Sequence, residues 1–162
     1  MVDQWRHGGD GRQGSAQRSM AVTARYLVDT SALARMRHPE VATQLTPLID
    51  AGLVATCAAI DAEVLYSARN PVEYEQVRAD RRALFEYLPT NDEHWQSAFA
   101  IQRELARSGR HRAVGIHDLL ASVLAIEHRL VLSHYDADFE TVASVVDLNH
   151  RWVAPRGSLE KS

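Results

Sequence analysis

The stretch Tyr26-Leu27-Val28-Asp29-Thr30-Ser31-Ala32-Leu33 joins a short apolar run to an acid and two hydroxyl residues. Residues 25–29 are predicted as a β-strand, and a helix is predicted to begin at Thr30 or Ser31, since either can satisfy free N–H groups of a first turn. Asp29 would then lie just past the carboxyl end of a strand, where parallel sheets bind ligands. An acid there also suits a helix N-cap, so Asp29 is at this point either a ligand or a cap.

Outward from this stretch, short apolar runs alternate with longer helical periods, a pattern typical of βα units on a mostly parallel sheet. The further predicted strands are 53–57, a short one around Tyr87 and Leu88, 130–133 and 145–148. The further predicted helices are one after Pro39, then 58–69, 71–86, one from Asn91 or Asp92 to Ser108-Gly109, 116–128 and 137–143. The pattern therefore predicts an α/β fold.

Length and composition fit one domain, because 162 residues with 46% hydrophobic and 24% charged side chains can bury a sizeable core. Residues 1–23 are predicted to be a disordered N-terminal extension, and Met20 is hypothesised to be the natural start. A basic RNA-gripping arm is the alternative interpretation of the extension. The domain is predicted to span residues 24–153, with a polar C-terminal tail over 154–162. From Asn149 onward, Trp152 is the expected anchor.

Several classes of protein are disfavoured by composition. The sequence has no apolar run near the ~18 to 20 residues that span a bilayer and no secretory signal, so a cytoplasmic protein is expected. The single cysteine, Cys57, lies in an apolar stretch and is predicted to fill the core. The only lysine, Lys161, lies near the C-terminus, which argues against phosphoacceptor receiver domains and dehalogenase-type phosphatases, since both use a lysine near the phosphoryl group.

Other acids occupy positions comparable to that of Asp29. Glu63 borders an apolar helix stripe, where a carboxylate needs a partner, and Asp61 is the competing candidate, most simply a solvated residue. Asp118 begins an otherwise apolar helix, whose dipole favours an acid whatever the function. Asp136 and Asp138 follow a strand, and Asp138 is the better cap and Asp136 the better ligand. Acids gathered in this way repel each other and must protonate or bind a cation such as Mg²⁺ or Mn²⁺.

Four runs in this order resemble the motifs of PIN-domain ribonucleases, especially VapC-type toxins, over roughly residues 24–153. They are Tyr-Leu-Val-Asp-Thr-Ser-Ala-Leu, Ala-Glu-Val-Leu-Tyr, His-Asp-Leu-Leu-Ala-Ser and His-Tyr-Asp-Ala-Asp-Phe-Glu. The resemblance implies a PIN-like three-layer α/β/α sandwich and the toxin of a type II toxin–antitoxin pair. It also implies Mg²⁺- or Mn²⁺-dependent endoribonuclease activity, a cognate VapB-type antitoxin and homodimerisation.

The resemblance also implies roles for individual residues. The catalytic and metal-binding acids would be Asp29, Glu63, Asp118 and Asp136, with Thr30, Ser31 and Asp138 as accessory residues. The expected reaction is an in-line displacement at phosphorus by a metal-activated water, leaving 5′-phosphate and 3′-hydroxyl ends. His117 departs from the small or apolar residue that many relatives carry there, and its bulk is expected to affect metal affinity.

RNA and partner contacts are less well defined. Arg110 and Arg112 are candidates for RNA binding, because arginine forks suit phosphates, although cations there would also complement a helix dipole. His134 and Tyr135 are candidates for base stacking or ligand tuning, with local packing as the alternative, and the remaining histidines are expected on the surface. The antitoxin is expected to use apolar surface of the helix pair 38–69, unless that surface is ordinary core.

Two rival functions remain at this point. One is a catalytically silent PIN-like module that binds RNA or protein, and the complete set of acids argues against it. The other is a structure-specific DNA nuclease of the flap-endonuclease kind, for which the chain lacks additional DNA-gripping elements.

Overall fold

A computed structural model describes residues 21–159 of the chain. Residues 1–20, with the predicted disorder and the Met20 hypothesis, lie outside the described residues, as do residues 160–162. The strands in the described part are β1 (Tyr26–Val28), β2 (Val54–Cys57), β3 (Glu86–Leu88), β4 (Val131–His134) and β5 (His150–Trp152). The helices there are α1 (Thr30–Leu33), α2 (Pro39–Asp50), α3 (Ala58–Tyr66), α4 (Pro71–Leu84), α5 (Asp92–Ala106), α6 (Ile116–Glu127) and α7 (Asp138–Ala143).

The strands form one parallel sheet in the order β3-β2-β1-β4-β5. The central strand β1 pairs with both β2 and β4, with Leu27 opposite Ala55 on one side and Leu132 on the other. Because every pair is parallel, all strands end at the same edge of the sheet. That edge therefore receives Asp29 from the end of β1 and the residues that follow β4.

Helices cover both faces of the sheet. Leu27 points into a large apolar cluster with α3, α5, α6 and α7, whereas Val28 points into a second cluster with α1 and α2. This alternation follows the two-residue period of a strand. Cys57 is buried in the larger cluster, as predicted. The fold is thus the expected three-layer α/β/α arrangement, and no helix between residues 21 and 159 is long and apolar enough to cross a membrane.

The predicted strand 145–148 is wrong. Val145 and Val146 lie in a turn after α7, where both backbone N–H groups donate to the carbonyl of Val142, and their side chains pack against the core. The fifth strand is instead β5, in which Arg151 lies opposite Ser133 of β4. Two adjacent valines favour a strand in sequence terms, but here they cover the core as a turn, and the true edge strand is polar.

The residues after Asn149 are not a solvated tail as far as Leu159. Val153, Ala154 and Leu159 are buried in the second apolar cluster, and the backbone N–H of Leu159 donates to the hydroxyl of Tyr135. At the other end, Val22 and Thr23 of the predicted disordered extension contact the domain, Val22 by packing against the larger apolar cluster. The backbone N–H of Thr23, for example, donates to Glu86.

Candidate active site

Asp29 is the N-cap of α1 and also lines the candidate site. The backbone N–H of Ser31 donates to Oδ2 of Asp29 over 2.9 Å, while the backbone N–H of Asp29 donates to the carbonyl of Ser133 in β4. The helix begins at Thr30, as predicted, and Asp29 takes the capping role that the sequence left open beside a ligand role. Capping occupies one carboxylate oxygen and fixes the side chain, which is 4% exposed.

Glu63 lies on α3, and its side chain reaches Thr30 at the start of α1. The hydroxyl of Thr30 donates to Oε2 of Glu63 over 3.0 Å, and Nδ1 of His117 lies 3.7 Å from Oε1. Thr30 thus connects the end of β1 to the middle of α3. Its hydroxyl holds the second carboxylate in a defined orientation.

The last acids are organised by backbone groups. The backbone N–H of Asp138 donates to Oδ1 of Asp136 over 2.9 Å, and the backbone N–H of Asp136 donates to Nδ1 of His134 over 3.1 Å. The N-cap of α7 is Ala137, and Asp138 is the first residue of the helix, so the interpretation of Asp138 as the cap is wrong. One carboxylate oxygen each from Asp118, Asp136 and Asp138 lie within 4.8 Å of one another.

These side chains meet in one cavity of about 730 Å³ at the carboxyl edge of the sheet. It is lined by Asp29, Thr30, Ser31, Ala62, Glu63, Tyr66, His117, Asp118 and Asp136. The four acids proposed as catalytic come from four separate elements and line this single cavity. Asp138 belongs to the cluster through Asp118 and Asp136.

Burial and nearby negative charge make Asp29, Asp118 and Asp138 hard to ionise. Burial, followed by the charges of Asp29, Asp136, Glu63 and Asp138, raises the pKa of Asp118 to about 8. Burial also raises the pKa of Asp29, although hydrogen bonds from Ser31 oppose that shift. The pKa of Asp138 is raised by burial and by Asp136. Carboxylate oxygens so placed are the donors that hard divalent cations prefer, and the residues present therefore fit Mg²⁺ or Mn²⁺.

Comparison with known proteins matches the sequence profile of the PIN domain to residues 26–145. The chain belongs to the PIN-domain family. It is 38% identical over 137 residues to "Ribonuclease VapC21" of Mycobacterium tuberculosis, covering 85% of this chain and 99% of that protein. It is 40% identical over 137 residues to "Ribonuclease VapC51" of the same organism, covering 84% and 98% respectively.

Solved structures show the same fold at low sequence identity. The VapBC2 structure from Rickettsia felis, bound to a DNA fragment from its promoter, superposes with a TM-score of 0.63. The match is 16% identical and covers 78% of this chain and 97% of that one. This PIN domain therefore has the architecture that its sequence predicts.

Other candidate residues of this PIN domain lie elsewhere or play different parts. Arg110 and Arg112 do not line the cavity, and the guanidinium of Arg110 donates to the hydroxyls of Ser108 and Ser144. Asp61 is not a solvated residue, because it accepts hydrogen bonds from buried Arg81 and from Thr56.

Histidines account for further differences. His134 is fully buried, with ring centroids of Phe139 and Trp152 at 4.9 and 5.0 Å, so it packs locally and cannot stack on a base, while its Nδ1 accepts from the backbone N–H of Asp136. Burial and the neighbouring His150 lower the pKa of His134 to about 4. His94 is also buried and is hydrogen-bonded to Glu127. The expectation that the remaining histidines lie on the surface is therefore wrong for His94.

Tyr66, the last residue of the run Ala-Glu-Val-Leu-Tyr, is a residue of the PIN-domain cavity for which the sequence suggested no role. It lines the cavity although its side chain is 93% exposed. Its position three residues after Glu63 places both on one face of α3, and this helical spacing is the signal that could have found it.

Part of the apolar surface expected to bind the antitoxin on residues 38–69 is core. Val41 and Leu45 of α2 are fully buried in the second cluster. Tyr66 is the one strongly exposed large apolar side chain within 38–69, whereas others in the described chain lie on later elements. The alternative of ordinary core therefore holds for α2.

Proposed function

We propose that this protein is a metal-dependent endoribonuclease that acts as the toxin of a type II toxin–antitoxin pair. The observation that carries the proposal is the convergence of Asp29, Glu63, Asp118 and Asp136 on one cavity. The names of the relatives support it, since proteins 38 to 40% identical over most of this chain are called ribonucleases.

The four acids would hold Mg²⁺, or Mn²⁺ in its place. The bound cation would lower the pKa of a water, position the scissile phosphate and offset charge on the leaving oxygen. The chain's own part is to hold the carboxylates at fixed positions before substrate arrives. Asp29 is held by the Ser31 N–H and Glu63 by the Thr30 hydroxyl, while Asp136 donates its own backbone N–H to His134.

The protonation state of Asp118 would be coupled to cation binding at this site. With a pKa of about 8, the carboxyl keeps its proton at neutral pH when no cation offsets the neighbouring charges. A bound cation would favour the ionised form of Asp118, whose proton would pass to solvent. Asp138, which shares a hydrogen bond with Asp118, would serve as the accessory acid that adjusts this equilibrium.

A cognate VapB-type antitoxin is the proposed partner, and homodimerisation is proposed as well. Solved structures with a similar fold, including the one from Salmonella typhimurium, are of VapBC complexes. This supports the pairing of such domains with an antitoxin. The site of action would be the cytoplasm, where RNA is available.

Cleavage by the Asp29→Asn variant tests the proposed reaction. Asparagine caps a helix about as well as aspartate, so the variant keeps α1 and removes a carboxylate charge. Cleavage of a structured RNA with Mg²⁺ or Mn²⁺ should fall by more than about 100-fold, beyond the loss typical of residues that only support a ligand. EDTA should abolish cleavage by the intact chain.

Asp147→Asn is the matched control, because Asp147 is exposed in the turn region after α7 and lies outside the cavity. It should cut RNA at the rate of the intact chain. Cutting in EDTA, or equal cutting by Asp29→Asn, would refute the metal-dependent mechanism. Binding of RNA without any cutting would instead favour a silent RNA-binding module.

A further inference from the structure

A second cavity, of about 430 Å³, lies on the opposite side of α3 from the active site. Its side chains come from β2, α3, α4 and β3 and include Thr56, Asp61, Arg78, Arg81, Arg82 and Tyr87. The volume falls within the range of roughly 300 to 1,000 Å³ in which small-molecule sites occur.

The charge of this cavity is positive. Arg81 is buried, and its guanidinium donates to Oδ1 of Asp61 over 2.6 Å and to the hydroxyl of Thr56 over 2.8 Å. Asp61 is thereby neutralised. Arg78 pairs with Glu75 at 3.4 Å, but the Glu75 side chain is 68% exposed, and such surface pairs are weak.

Arg82 adds a cation without a counter-charge, since it has no salt bridge within residues 21–159. Arg78 and Arg82 are four residues apart on α4, so both point to the same side of that helix. Planar guanidinium groups present forks of donors that match phosphate oxygens. The cavity is therefore suited to an anion.

Tyr87 supplies an aromatic surface beside these cations. Its residue lies opposite Thr56 in the β2–β3 register, and its side chain is 55% exposed. A phosphate with an attached base would use both the arginines and this ring. An acidic peptide side chain would use only the arginines, so the combination favours a nucleotide.

The cavity also lies close to the active site. Both border α3, with Glu63 and Tyr66 lining the active-site cavity and Asp61 and Leu65 lining the second. A helix with its side chains is about 10–12 Å across, a span that a short single strand can cross. We propose that the second cavity binds a nucleotide of the RNA whose cleavage is proposed above, with its phosphate at Arg78 and Arg82 and its base on Tyr87.

Salt-dependent RNA binding tests this site without requiring cleavage. The affinity of a fluorescein-labelled single-stranded RNA of mixed sequence is measured by anisotropy with Mg²⁺, in an Asp118→Asn background, over a range of salt. Arg82→Gln should weaken binding and reduce the slope of log K against log salt by about 0.7, the value for one phosphate contact to a single strand. Arg82→Lys should keep most of the slope.

The base contact has its own variant pair. Tyr87→Ala should weaken binding about tenfold without changing the slope, since stacking on an aromatic ring contributes on this scale, and Tyr87→Phe should restore it. Arg103→Gln is the matched control, because Arg103 is an exposed arginine on α5 with no part in either cavity. The urea midpoint of each variant, compared with that of its background, checks folding.

Unchanged affinity and slope in Arg82→Gln would overturn the proposal. So would a variant that binds RNA normally but loses affinity for a purified acidic peptide, because the cavity would then hold protein. A different result would refute the ribonuclease proposal. A chain that binds RNA through Arg82 and Tyr87 but cuts none would refute catalysis alone, and one that cuts RNA with an unaltered Arg82 slope would refute only this site.

Discussion

Asp118 has an environment far from that of a solvated carboxyl. Its position in the first turn of α6 favours an acid through the helix dipole, yet burial and four neighbouring acids raise its pKa to about 8. Such a group lowers the stability of the folded chain at neutral pH. The unfolded chain ionises Asp118 near pH 3.8 at no cost, whereas the folded chain does so only near pH 8.

Asp118→Asn should therefore stabilise the metal-free protein while impairing cleavage. Each pKa unit above the unfolded value lowers folding stability by about 1.4 kcal/mol once pH exceeds both values, and asparagine has no proton to lose. Differential scanning calorimetry at pH 8 in EDTA should show a higher Tm, by about 2 to 4 °C for each kcal/mol recovered. Asp147→Asn should leave Tm unchanged, and a lower Tm for Asp118→Asn would contradict the assigned cause.

Local sequence identified the acids but not all of their hydrogen bonds. Asp29 could be placed because an apolar run followed by Asp-Thr-Ser predicts a strand end and a helix start. Which residue caps that helix depends on backbone geometry at single-residue scale, and several residue types there can cap. For the same reason, the sequence does not show that Asp136 accepts a hydrogen bond from the backbone N–H of Asp138 at the start of α7.

Elements were predictable where apolar periodicity was strong. The buried helix α6 and the strands β1, β2 and β4 fall within a residue or two of their predicted bounds. The edge strand β5 has no such signal, since His150, Arg151 and Trp152 are half-exposed and polar or amphipathic. It forms because β4 offers an unpaired edge, a tertiary cause that the strand's own sequence does not contain.

The pairing of α3 with α4 depends on an equally hidden contact. Asp61 and Arg81 are twenty positions apart, and their bond closes a buried network with Thr56 of β2. A helical acid with no visible partner looks solvated in sequence terms. In the structure, the partner of Asp61 is the buried guanidinium of Arg81.

Asp61→Ala should destabilise the fold by about 3 to 5 kcal/mol, because it leaves the Arg81 guanidinium buried without its counter-charge. Urea unfolding followed by circular dichroism should show a lower midpoint with an unchanged slope. Asp80→Ala is the comparison, since Asp80 is an exposed α4 residue whose carboxylate only accepts from Gln76. Equal midpoints for the two variants would mean that the Asp61–Arg81 pair contributes little.

Two buried groups change the stability of the metal-free molecule with pH in opposite directions. Burial lowers the pKa of His134 from 6.5 to about 4, so its contribution to stability is present above pH 6.5 and lost as pH falls toward 4. Asp118 acts in the other direction, and its cost grows as pH rises from 3.8 toward 8. The raised pKa values of Asp29 and Asp138 reinforce Asp118. Between pH 6.5 and 8, the His134 contribution is constant while the cost of Asp118 still grows.

Mg²⁺ should reverse that decline, which links the proposed metal site to the stability of the entire fold. A ligand that binds only the folded chain stabilises it, and binding that releases one proton gains about 1.4 kcal/mol for each pH unit. The difference in Tm between Mg²⁺ and EDTA should thus be greater at pH 7.5 than at pH 6.5, by about 3 to 6 °C. In Asp118→Asn the difference should depend less on pH, because the group that releases the proton is missing. An equal Mg²⁺ effect at both pH values in the intact chain would show that Asp118 does not ionise when the cation binds.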